Sequence, residues 1–141
     1  MDTADALIQR LDLRPHPEGG WYRQTWIADT EDRPSGTSIY FLLKQGEASH
    51  WHKVDAVEIW HFYAGTPLVL SISATDAGPA TDITLGSDLI AGHTPQAIVP
   101  DGYWQAAAAP DGWALVGCTV SPGFQFEGFT LAPPDFDIPR G

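Results

Sequence analysis

Gly46-Glu-Ala-Ser-His50-Trp-His52-Lys-Val-Asp-Ala-Val-Glu58-Ile-Trp60-His61-Phe-Tyr63-Ala-Gly65 is the stretch on which the reading of this chain turns. Within it, segments 48–53 and 57–63 are rich in β-branched and aromatic residues and read as strands joined by a short turn near Lys53–Ala56. His50 and His52 are two apart, so on a regular strand both imidazoles leave one face about 7 Å from each other. Glu58 follows on the next strand. Two imidazoles and a carboxylate on one face form a set suited to Fe(II), Mn or Zn with open coordination positions. The plainer alternative is that the three hydrogen-bond one another at a sheet surface.

The pattern continues on either side. Further strand-like segments fall at 21–28, 37–43, 67–74, 81–85, 96–99, 103–108, 113–120 and 124–131. Pro, Gly, Asp and Ser clusters break them about every ten residues, as in a sandwich or barrel. Helical spacing occurs once, at Ala4, Leu7, Ile8 and Leu11, with Asp2 or Thr3 placed to cap the start and Pro15 to stop it. The expected architecture is all-β with one short N-terminal α-helix, in one domain over 1–141. The helix covers about 3–13, the barrel about 20–132, and a Pro-rich surface tail about 133–141.

Composition limits the partners. Seven Lys and Arg stand against eighteen Asp and Glu, a net charge of −11. The chain therefore lacks the basic patch that nucleic acid or an anionic membrane surface requires. Cys118 is the single cysteine, so no disulfide forms within the chain. No leader-like or membrane-spanning apolar run is visible, and a cytoplasmic location is expected.

A second polar segment, Pro100-Asp-Gly102-Tyr103-Trp104-Gln105, carries a strand through a turn into a new strand. The first stretch resembles the first motif of the cupin superfamily, and Pro100-x-Gly102-x-x-Gln105 resembles its second. Gln105 stands where metal-binding members place a histidine, and the gap between His52 and Glu58 is longer than theirs. The resemblance extends to a largely uncharacterised branch through Pro15-His-Pro-Glu-Gly-Gly20-Trp-Tyr-Arg23, Ile39-Tyr-Phe-Leu-Leu43 and Leu115-Val-Gly-Cys-Thr-Val-Ser-Pro-Gly-Phe124. It implies a double-stranded β-helix, or jelly-roll barrel, with a pocket in its mouth and a homodimer as the assembly.

On that fold, His52 is the expected general base, with Glu58, Tyr63 or Tyr103 to orient it or donate a proton. His50, His61, Trp60, Trp104, Gln105 and Arg23 are candidate contacts for a small polar, carbohydrate-like ligand. If a divalent transition metal is the cofactor, His50, His52, Glu58 and Gln105 are its candidate ligands. In Pro15–Gly20 the glycines permit a turn, and His16 and Glu18 either tie it down or enter the site. Cys118 reads as a buried structural thiol. An epimerase-like enzyme, a metal-dependent enzyme and a non-catalytic ligand sensor all remain open at this point.

Overall fold

The structure is a computed structural model and describes residues 2–140. Helix α1 spans Thr3–Leu11, and the Asp2 carboxylate accepts the Asp5 N–H at 2.8 Å, pairing a donor that the helix cannot pair itself. The chain leaves the helix at Asp12, which adopts a left-handed conformation with φ 55°. The stop thus comes before Pro15 and slightly earlier than the spacing predicts. Leu7, Ile8 and Leu11 pack beside Leu42, Trp21 and Leu115.

Eleven strands follow: β1 (Arg14–Pro15), β2 (Trp21–Ile27), β3 (Thr37–Leu43), β4 (Ala48–Val54), β5 (Val57–Gly65), β6 (Leu68–Ser73), β7 (Thr81–Leu85), β8 (Gln96–Val99), β9 (Trp104–Ala108), β10 (Ala114–Ser121) and β11 (Phe129–Leu131). One sheet has the order β1-β2-β3-β10-β5-β8 and the other β11-β4-β9-β6-β7, all neighbours antiparallel. The two sheets enclose Phe41, Leu43, Trp60, Leu68, Leu70 and Val116, giving the expected jelly roll. Each such side chain contributes roughly 1.5–3 kcal/mol by leaving water.

Two segments differ from the sequence expectation. Over 124–131 only β11 is extended, because Phe126–Gly128 forms a 3-10 turn. The backbone just before it is already satisfied elsewhere: Gly123 N–H donates to Pro34 O at 2.7 Å and Phe124 N–H to Thr37 Oγ1 at 3.0 Å. The C-terminal segment is not a surface tail throughout. Ile138 is fully buried with Trp51, Ala80 and Ala132, and Phe136 stacks on Trp104 at 5.0 Å. Asp137 accepts the Trp51 indole N–H at 2.8 Å, and Arg140 donates to Ser71 Oγ at 2.9 Å. The segment straps itself across the second sheet.

Candidate active site

One extra residue in β4 decides which of its side chains enter the barrel. Ser49 pairs with Ala107 and His52 with Gln105, so three steps along β4 match two along β9. This is a β-bulge, and it breaks the two-residue alternation. Ser49 and His52 are both buried, whereas His50 leaves the barrel and its Nε2 lies 2.7 Å from Pro133 O. His50 and His52 therefore do not share a face. His52 Nδ1 lies 2.8 Å from His50 O, so Nδ1 carries the proton and Nε2 holds the lone pair.

Strand β5 keeps regular alternation at this level, sending Glu58 and Trp60 inward. Gln105, from the opposite sheet, lies between them with no exposed surface. Its amide oxygen accepts the Trp60 indole N–H at 2.7 Å, and its Nε2 donates to Glu58 Oε1 at 3.0 Å.

The segment between β1 and β2 supplies two groups that the sequence left open. Gly19 and Gly20 have φ of 106° and 79°, and a Cβ on Gly19 would run into Ala48 O. Only glycine permits this close approach to β4, where Glu18 O accepts the His50 N–H at 2.7 Å. The turn places the Glu18 carboxyl against Ser49 Oγ, with Oε1 3.5 Å from His52 Nε2 and 3.3 Å from His16 Nδ1. His16 Nδ1 accepts the Glu18 backbone N–H at 3.2 Å.

His16, Glu18, His52 and Glu58 line one cavity of about 230 Å³. Tyr22, Ile39, Val54, Val120, Phe124 and Phe126 supply apolar wall, and Gln24 and Thr37 complete the lining. Burial governs the charges here. It pushes Glu18 up to about 8 and Glu58 up to about 7, the latter aided by the neighbouring Glu18 carboxyl. It pulls His16 down to about 4, and lowers His52 as well. At neutral pH the imidazoles are uncharged and Glu18 holds a proton, so an acid stands beside the His52 lone pair.

The remaining sequence candidates lie outside this cavity. Tyr63 is the extra residue of a bulge opposite Leu115 and Val116, and lies half-exposed over Gly117. His61 faces Thr119 and Gln96, at 3.1 and 3.2 Å. Trp104 stacks under the Lys53 ammonium at 4.9 Å, and Tyr103 packs against the main core. Arg23 donates to Leu11 O at 2.9 Å beside α1. Trp60 and Gln105 back the cavity through Glu58 without lining it.

The metal set His50, His52, Glu58 and Gln105 does not converge. His50 is turned to Pro133, and the only oxygen Gln105 could offer is taken by Trp60. Among the described residues, no three His, Cys, Asp or Glu side chains are arranged to hold a metal ion. The four side chains do not fit the group.

An antiparallel jelly roll with a buried acid–base cluster lining a cavity defines a cupin-type barrel. The family described as "Cupin superfamily (DUF985)" matches residues 5–132, and the chain belongs to it. Protein SO0799 of Shewanella oneidensis is 44% identical over 94% of this chain and 85% of its own, with a TM-score of 0.86. A hypothetical protein from Leishmania major is 30% identical over 93% and 88%, also with a TM-score of 0.86. An oxalate decarboxylase from Bacillus subtilis shares the fold, at 15% identity over 86% of this chain and 31% of its own, with a TM-score of 0.66. No curated protein matches the chain. No helix is long and apolar enough to cross a membrane among the described residues.

Proposed function

We propose that the barrel mouth binds a small polar organic molecule and moves a proton on it, as an epimerase or isomerase does. One observation carries the reading: a buried neutral imidazole, His52, stands 3.5 Å from the buried carboxyl oxygen of Glu18 in a cavity lined largely by apolar side chains. His52 Nε2 takes a proton from a C–H next to a carbonyl, and the C–H electron pair moves into the enol. Glu18 delivers its proton to the carbonyl oxygen or to the neighbouring carbon, and Glu58 orients the ligand. A proton donor and acceptor matched to the working pH contribute about 10²–10⁴-fold in such steps. The cavity is smaller than the roughly 300–1,000 Å³ of drug-sized sites, which suits a ligand of monosaccharide size or less.

The test is proton NMR in D2O with a panel of ketoses, aldoses, hydroxyketones and aminoketones. The expected result is enzyme-dependent loss of one C–H signal, abolished in His52→Gln and Glu18→Gln. A panel member that shifts the pocket resonances and never exchanges would make the chain a binding or sensor module instead. The chain is also read as a homodimer, a reading supported by Trp26, Ile27 and Ile98, each more than half exposed on strands. Sedimentation showing a monomer at micromolar concentration would end that reading.

A further inference from the structure

We propose that the ligand of the barrel mouth is a small organic cation, a protonated amine that also carries a hydroxyl or carbonyl group, held between the Glu58 carboxylate and the rings of Tyr22, Phe124 and Phe126. The proposal rests on the reading of this cavity as the working site and narrows its substrate class.

Three observations lead to it. First, the cavity is lined by two carboxyl groups and by no lysine or arginine. The nearby basic side chains are committed elsewhere: Arg33 to Asp55 at 2.7 Å, Lys44 to Asp5 at 2.6 Å, Arg23 to Leu11 O and Lys53 to the Trp104 ring. A phosphate or carboxylate ligand would find no counter-charge there, whereas an ammonium group would. Second, aromatic rings share the cavity lining with the carboxyls. Phe124 and Phe126 meet edge to face at 4.9 Å, and Tyr22 stands 4.4 Å from His16. Ring faces attract a cation held near them, most strongly where water is excluded. Third, His16 is buried and lines the cavity, with Nδ1 engaged by the Glu18 N–H. No protein group pairs its Nε2 among the described residues, and that atom is not sealed from solvent, so as an N–H it is free to donate to an acceptor on a ligand in the cavity. The chain's charge of −11 also draws cations, and not anions, toward the mouth.

The experiment uses three probes on one carbon skeleton: isobutylamine, isobutanol and isobutyrate. A fourth, 1-amino-2-methylpropan-2-ol, adds the acceptor. Binding is followed by NMR shifts of pocket residues in the intact protein at fixed pH and salt. Isobutylamine is expected to bind at least about tenfold more tightly than isobutanol, with no saturable shift from isobutyrate. The amino alcohol is expected to bind more tightly again. Glu58→Gln removes the preference for the amine, and Phe124→Leu, which leaves every carboxyl in place, reduces it. Equal or tighter binding of the alcohol or the acid, or silence of all four probes, overturns the proposal. The two readings separate cleanly. C–H exchange on uncharged molecules without amine preference removes this one alone, and amine binding without exchange removes the proton-transfer reading alone.

Discussion

Replacing Glu18 by glutamine should stabilise the protein against alkali. In the folded state burial raises the Glu18 carboxyl from 4.5 to about 8, so over the intervening range the folded chain holds a proton that the unfolded chain has released. A raised acid contributes stability that is complete below its unfolded value and is lost as pH climbs through its folded value. Between pH 6 and 8 that is two pKa units at about 1.4 kcal/mol each, or roughly 3 kcal/mol removed from the wild type by pH 9. For a chain of this length the loss corresponds to a fall in Tm on the order of 10 °C. Glu58, raised first by burial and only then by Glu18, adds a smaller loss from pH 6 to 7 that the substitution lessens but does not remove. In Glu18→Gln the new amide keeps an oxygen for Ser49 Oγ, and the packing volume is unchanged. Urea denaturation of both proteins at half-unit steps from pH 6 to 9 measures the difference. The wild-type curve should fall steeply and the variant's should fall less, by the Glu58 share alone. Parallel curves would show that Glu18 is ionised in the fold, and the acid–base pairing with His52 would fall with it.

The opposite sign holds for His16, lowered by burial from 6.5 to about 4. Its contribution is complete above 6.5 and is lost as pH falls toward 4, so His16→Gln should resist acid better than the wild type by up to about 3 kcal/mol in the same titration. Trp60→Phe leaves the Gln105 amide oxygen without its donor, and should cost about 1–3 kcal/mol in chemical denaturation beyond any cavity effect. Ile138→Ala empties a fully buried site beneath the strap, for an expected loss of about 2–5 kcal/mol by the same measurement. Gly19→Ala should expel the Glu18 turn from β4; NMR shifts confined to residues 15–22 and 48–52 would report it, with the rest of the barrel unchanged.

Much of the barrel was legible because strand periodicity and Pro/Gly punctuation are local signals, and the segments read as strands map closely onto β2 to β10. The cluster was legible only in part. Alternation predicts a shared face for His50 and His52, but the extra residue between Ser49 and His52 is set by pairing with β9, which no local pattern encodes. Tyr63 is displaced by a bulge in the same way. The burial of Ile138 was hidden because prolines on either side look like a loop, while the groove that receives them is made by Trp51 and Ala80, far away in sequence. His16 and Glu18 did leave a trace. Two ionisable residues held between prolines and a Gly-Gly pair signal a turn pressed against another strand, and that turn is what delivers them.

Gln105 has a mechanical consequence beyond its place behind the cavity. It stands on the second sheet yet holds Trp60 and Glu58, both on the first, with one amide. Apolar side chains between two sheets tolerate sliding, because dispersion has little directional preference. Two hydrogen bonds from a single planar amide do not. Gln105 therefore acts as a key that indexes one sheet against the other, and any shear of the barrel must move the Glu58 carboxyl relative to His52. The spacing of the acid–base groups is thus fixed by the alignment of the sheets as wholes.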